Sequence, residues 1–400
     1  MARPLNIPNV ISDTCLTFQN ILYRHPHVMR HGIATRRANA ESGDWEAFLQ
    51  LPRPAEASHP DVVASEECML HNEFDHPDAP KIKTAAANSH IRMMTGRRAV
   101  SAHLNLLLIC VALGGTLFQL FGLPYMLNVY GLRAAWFLLP IMLVQPLHWG
   151  LIHEAIHSHL LPDRRADEFC ARLLSVAIGV PFDATRFSHL VHHRYSRHGY
   201  DRPDVYDGQG PYALAWLRYW GRLFGGVYLG ILVSPLIACV PVSFGIRLME
   251  RIIPISEDGD TEVRRLFVSL VMNASKRRRT RREFVMTLVL YGGSAWAYGA
   301  WWPVLLAAVY MRGLWHSIAD NVAHHDVSPD EPERARNYEL PRAFGLLVVN
   351  QHLHLTHHLH PTAPWTSLVA MRALANRNAD DNYFRAAFRQ MNRIYPRPQS

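Results

Sequence analysis

Cysteine is sparse and scattered. The five present (Cys15, Cys68, Cys110, Cys170 and Cys239) form no C-x-x-C pair, which argues against a zinc ribbon and against a disulfide framework. The start of the chain lacks a basic segment followed by an apolar run, so no secretory signal peptide is expected. Charge is also in short supply. Asp, Glu, Lys and Arg make up 18% of 400 residues, against 49% hydrophobic residues, a low charged fraction for a soluble protein. His153-Glu154-Ala155-Ile156-His157 has the spacing of the zinc-protease string H-E-x-x-H, but it is one of several histidine clusters, more than a single zinc takes. No internal repeat or low-complexity tract interrupts the chain.

The apolar residues are gathered into blocks, as a chain that crosses a bilayer requires. Leu104–Leu123 and Ala134–Ile152 are the first two, each close to a bilayer's thickness as a helix. Arg97 and Arg98 precede the pair and place the N-terminus inside, so the chain returns to the cytosol near His153. Leu223–Gly245 is broken by Pro235 and Pro241, and Phe284–His316 is too long for one perpendicular span and short for two. Between them lies Lys276-Arg277-Arg278-Arg279-Thr280-Arg281-Arg282, a run that stays in the cytosol by the positive-inside rule. Two arrangements are open: a re-entrant third block followed by a pair of short spans, or one crossing each. The net charge of +8, carried far more by Arg than by Lys, fits a face turned to anionic lipid. No nucleic-acid partner is expected.

Histidine is abundant, with 24 in the chain. His153 and His157 form H-x-x-x-H directly after the second block. His189, His192 and His193 form H-x-x-H-H, and His354, His357 and His358 repeat it, flanked by His352 and His360. Residues at i, i+3 and i+4 share a helix face. Three clustered imidazoles repel when protonated, and a metal gives them a reason to meet. Eight imidazoles exceed the four ligands of a tetrahedral zinc and suit two ions with open positions. Donor type alone permits Fe, Zn, Cu or Ni.

A fourth cluster runs from His316 to His325. His316, Asp320 and His324 recur every four residues, and Asn321 and His325 form an adjacent pair. His324 is the expected ninth ligand, with Asp320 or Asn321 holding a metal-bound water or another ligand, and His325 the alternative. Glu154, Asp183, Asp201 and Asp204 are candidates to orient imidazoles. Arg186, Arg194 and Arg197 are candidates for a substrate headgroup.

H-x-x-x-H, H-x-x-H-H and H-x-x-H-H, in this order between paired membrane blocks, resembles the membrane fatty acid desaturase superfamily over roughly Ala99 to Trp365. Pro364-Trp365 after the last box is similar to that family's trailing Pro-Trp, and Asp320–His325 to its extra histidine helix. Leu160-Leu161-Pro162 and Arg164-Arg165 after the first box resemble a bacterial subgroup. So do Arg186-Phe187-Ser188-His189, Arg194-Tyr195-Ser196-Arg197 and Val205-Tyr206 around the second. That subgroup contains polyyne desaturases and acetylenases and a decarboxylase that makes terminal alkenes.

The resemblance implies two iron ions (Fe2+/Fe3+), O2, and an acyl substrate that is free or linked to CoA, a carrier or a lipid. It also implies a separate electron donor such as a ferredoxin-like protein. The expected fold is all-α and integral to the membrane, in a bacterial inner membrane. About four embedded helices carry a cytosolic helical cap with the di-iron site. The expected organisation is a polar extension over 1–98, a desaturase domain over 99–375 and a basic tail over 376–400. Insertion of a double bond is the leading reaction, with acetylenation, hydroxylation, carotenoid oxidation or decarboxylation on the same site as rivals. A His-rich metal transporter would place its ligands within the spans, whereas these lie just outside them.

Overall fold

A computed structural model describes residues 93–396, with 254, 256–259 and 393 excepted. Most of the expected N-terminal extension therefore lies outside the described residues. The described chain is mostly helical, with two-residue strand pairs as its only sheets.

The first two apolar blocks make a hairpin. Helix α1 (Ala102–Leu117) passes through a widened turn at Phe118–Gly122 into α2 (Leu123–Tyr130), and α3 (Leu138–Ile156) returns beside α1. Gly131 has φ 62° at the reversal, a conformation that a residue without Cβ adopts freely. A helix that widens by one residue releases backbone carbonyls, and here they are used. The Ser294 hydroxyl donates to the Leu120 carbonyl at 2.8 Å, and the Tyr298 hydroxyl to that of Gln119 at 2.6 Å. Buried side chains in the hairpin are paired as well. The Thr116 hydroxyl donates to His148 Nδ1, and His148 Nε2–H donates to the Leu174 carbonyl, both at 2.9 Å.

Helix α4 (Arg164–Ile178) is capped by Asp163, whose carboxylate accepts from the Ala166 N–H, and ends at Gly179 in the left-handed region. Helix α5 (Phe182–Tyr195) follows, then strand β1 (Val205–Tyr206). The third apolar block is not one helix. It is α6 (Tyr212–Gly221), α7 (Val227–Val233) and α8 (Pro235–Cys239), broken at Phe224–Gly225, where Gly225 has φ 103°, and followed by the amphipathic α9 (Val242–Ile252). Next come α10 (Asp260–Met272), α11 (Ala274–Tyr298) and α12 (Trp302–Val322). The block Phe284–His316 is thus a hairpin of two helices turned at Gly299, φ 49°.

Hydrogen bonds fix the level of each piece. Arg279, in the basic run at the start of α11, donates to Asp183 at the start of α5 at 2.8 Å, so the run lies at the same end as the second histidine box. Tyr219 of α6 accepts from Asn321 at the end of α12, at 3.0 Å. At the other limit of the block, Arg277 donates to the carbonyls of Ile237 and Val240, at 2.9 and 2.5 Å. Between these ties, Tyr228 packs against Gly313 in the middle of α12. Both limits of the third block are thus tied to residues near the histidine end. Two helical stretches, Ala102–Ile156 and Tyr212–Cys239, are long and apolar enough to cross a membrane.

Leu107, Leu139, Val289 and Leu306 are exposed on the outer faces of the two hairpins, an apolar surface suited to lipid. Trp296 and Trp302 are exposed beside the far turn, where an interfacial belt belongs, and Tyr298 turns inward.

The cap follows. Strand β2 (Tyr338–Glu339), helices α13 (Arg342–Leu347), α14 (His354–Leu359) and α15 (Trp365–Leu374), strand β3 (Asp381–Asn382), helix α16 (Tyr383–Arg389) and strand β4 (Tyr395–Pro396) complete it. β2 pairs with β3 and β1 with β4. The segment read from sequence as a basic tail therefore closes the cap, and Gln390 accepts from Asn321 at 2.9 Å.

Candidate metal centre

The nine histidines expected as ligands meet at one end of the helices. Their donor atoms form two groups, each within 4.8 Å: His153, His157, His189, His193 and His357 in one, and His192, His324, His354 and His358 in the other. The division follows from helix geometry. At about 100° per residue, i and i+4 diverge by only about 40°, while i+3 swings about 60° the other way. So the i, i+4 pairs stay together: His153 with His157, His189 with His193, and His354 with His358. The i+3 residues, His192 and His357, cross to the opposite group. The groups abut, with the His193 and His358 rings stacked 4.2 Å apart between centroids.

The second group tests whether the donors fit a cation. His192 Nδ1 lies 2.6 Å from Asp201 Oδ2, and His324 Nδ1 lies 2.7 Å from the Arg334 carbonyl oxygen. Each acceptor requires a proton on Nδ1, which leaves Nε2 as a lone pair in both neutral rings. Those two Nε2 atoms face one another at 3.1 Å. Two lone pairs at that distance need a positive species between them. In the first group, His153 Nε2 is buried with no hydrogen-bond partner. The Gln351 amide lies 2.9 Å from His153 Nδ1, and its oxygen must face the ring for Nε2 to be the free lone pair.

Burial, and then the neighbouring imidazoles, hold His157, His189, His193, His357 and His358 well below the ordinary histidine value. His324 and His354 are held down by the same causes. His192 differs: burial pushes it down, but the Asp201 carboxylate outweighs burial and raises it. The seven that are held down are unsuited to protons and stay neutral, the state in which imidazole binds a metal.

Asp201→Asn is expected to weaken one bound ion about 10- to 100-fold and leave the other in place, because the carboxylate sets the tautomer and basicity of His192. Titration of the loaded protein with a competing chelator checks it; two unperturbed affinities would remove Asp201 from this role.

The remaining candidates separate cleanly. Glu154 Oε2 accepts from the Trp365 N–H at 3.0 Å, and Trp365 Nε1–H donates to Asn105 at 3.0 Å, which ties the first box, the Pro-Trp pair and α1 together. Asp183 belongs to an arginine network with Arg172 and Arg279. Asn321 is occupied by Tyr219 and Gln390, and the His325 ring stacks near Tyr219 at 6.2 Å. Neither joins the donor groups. His316 packs edge-on against Trp149 at 4.0 Å and, with the exposed Asp320, borders the cavity beside the second group.

The arginine expectations need correction. Arg197 is buried and donates to Asp204 at 2.6 and 3.2 Å and to the Val327 carbonyl, so its charge is already paired and only Nε is without a partner. Arg186 donates to Ser158 at 2.6 Å, and Arg194 lies over the Tyr195 ring. Neither borders the cavities described next.

A cavity of about 230 Å3 adjoins the histidines and is bordered by His153, His189, His192, His324 and His354. A larger one of about 610 Å3, walled mainly by aliphatic side chains, lies beside it. Arg222 borders both. Sequence reasoning passed over it at the edge of an apolar block.

A family model described as fatty acid desaturase matches residues 130–389, a span containing all nine histidines. A beta-carotene ketolase from Paracoccus sp. (strain N81106 / MBIC 01143) is 25% identical over 230 residues, covering 56% of this chain and 72% of the ketolase. No solved structure matches the chain. With well over half of its length matched, and all nine histidines within the match, the chain belongs to the fatty acid desaturase family.

Proposed function

We propose that the protein is an O2-dependent membrane oxidoreductase that inserts a double bond into a fatty acyl chain. One iron would be held by His153, His157, His189, His193 and His357, the other by His192, His324, His354 and His358. The observation that carries this reading is the pair of buried imidazole groups beside a small cavity that adjoins an apolar one. Unactivated methylenes offer no acidic proton, so acid–base chemistry by side chains cannot break their C–H bonds, and bound iron would supply the oxidising power.

The chain's own residues do the rest. Asp201 and the Arg334 carbonyl orient His192 and His324. Glu154, Trp365 and Asn105 lock the first box against the third. The aliphatic walls exclude water and align the acyl chain. Removing two hydrogens from adjacent methylenes yields two electrons and two protons. Reducing O2 to two waters takes four of each, so a separate ferredoxin-like donor would bring the other two electrons. The exposed outer apolar faces favour an integral protein of a bacterial inner membrane with the histidine end in the cytosol, beside the basic run.

Mass spectrometry of fatty acids and headspace volatiles from expressing cells tests the reading, with a His192→Ala, His193→Ala double variant as control. New unsaturated chains absent from the control are expected. Acetylenic, hydroxylated or chain-shortened alkene products would redirect the reaction on the same site, and oxidised carotenoids would align it with the ketolase relative. No product with any donor and substrate supplied would sink the oxidative reading.

A further inference from the structure

We propose that Arg222 anchors the carboxylate of an unesterified fatty acid where the two cavities adjoin, making it a specificity-determining residue. This rests on the reading that the site oxidises acyl chains. Thr185, Ser188, Asp201, Arg222, Val227 and Ile231 border both spaces, so the two adjoin. An acyl tail needs the larger one, with Met249, Ile253, Phe267 and Leu270 in its walls. The smaller is only a few carbon–carbon bonds across and bordered by histidines, so it receives the polar end.

Arg222 stands at that junction with its charge unmet. Its Nε is buried without a partner, and among the described residues its guanidinium makes no ion pair. A guanidinium is always charged, and its fork of donors matches a carboxylate. The acids on the same walls do not pair with it: Asp201 is bonded to His192, and Asp320 is exposed. Arg277, on the far wall of the larger cavity, has its donors on the Ile237 and Val240 carbonyls. Arg222 is also held firmly. It opens the break at Phe224–Gly225, and this segment packs along α12, the helix that leads to His324. A carboxylate seated there brings the carbons nearest the acid, not the middle of the chain, to the histidines. A methyl ester or a thioester lacks the charge that Arg222 awaits.

Equilibrium dialysis of radiolabelled dodecanoic acid and its methyl ester against the purified full chain in nanodiscs reads this without turnover. The wild type is expected to bind the acid about 10- to 100-fold more tightly than the ester, the worth of a charge-assisted pair. Arg222→Met should lose that preference while keeping its affinity for the ester, Arg222→Lys should restore part of it, and Lys276→Met on the far wall should leave it intact. A wild type that does not distinguish acid from ester overturns the proposal, whatever the variants do. So does a preference abolished by Lys276→Met and kept by Arg222→Met. Tight acid binding without any oxidised product in cells would uphold the anchor and sink the oxidative reading; products with no acid preference would do the reverse.

Discussion

His324→Ala is expected to reduce the metal content of the purified protein from about two ions per chain to about one and to abolish product formation, by well over 100-fold, since even residues that only orient ligands cost 10- to 100-fold. His324 lies two residues beyond α12, outside the three boxes, yet its Nε2 faces that of His192 at 3.1 Å. The second group has only four donors, against five in the first, so it has no histidine in reserve. Loss of His324 also leaves the lone pair of His192 without the partner across the site. The neighbouring histidine supplies the contrast. His325→Gln is expected to keep both ions, because His325 sits beside Tyr219 and not among the donors. Elemental analysis of matched preparations decides between them; loss of an ion from His325→Gln but not from His324→Ala would reverse the assignment.

The parts of this site that were legible in the sequence are those that helix geometry makes local. A rigid helix converts spacing into direction, so H-x-x-H-H announces both a shared face and the divergence that sends His192 and His357 to the opposite group. The four-residue period of His316, Asp320 and His324 pointed to His324 by the same logic, although Asp320 and His316 end at the cavity edge and Asn321 in the cap. What failed depended on closure of the chain in three dimensions. Arg197 has φ 65°, a turn that carries it inward to Asp204, and no spacing rule announces that. Arg222 becomes significant only because the third apolar block breaks after it. The tie at the far limit of that block depends on two carbonyls, those of Ile237 and Val240, that accept from an arginine about 40 residues away. The widened turn at Phe118–Gly122 is of the same kind: its released carbonyls matter only because Ser294 and Tyr298 arrive from another hairpin.

The metal-free protein is expected to be sharply acid-labile, and the metal-loaded protein much less so. Seven of the nine histidines (His157, His189, His193, His324, His354, His357 and His358) are held below their ordinary value by burial and then by one another. In the unfolded chain the same side chains titrate near about 6.5. Above that pH neither state binds the extra protons, and the stability associated with these groups is fully present. As pH falls through about 6.5 the unfolded chain takes up protons that the folded cluster refuses, and stability drops by about 1.4 kcal/mol per pH unit for each proton of difference. His192 acts in the opposite sense, since Asp201 raises it: its contribution is present at low pH and lost as pH rises through its folded value. One group against seven does not change the direction, and because the imidazoles interact they titrate as a set. Bound metal occupies the lone pairs that protons would take and stabilises the folded state by mass action. Thermal unfolding in nanodiscs between about pH 8 and about pH 5, with and without prior chelation, reads the effect. The chelated protein should lose its transition steeply below about pH 6.5. A metal-free protein as stable at about pH 5.5 as at about pH 7.5 would mean that its histidines are solvated and already free to protonate, and the buried neutral cluster would not describe the protein in solution.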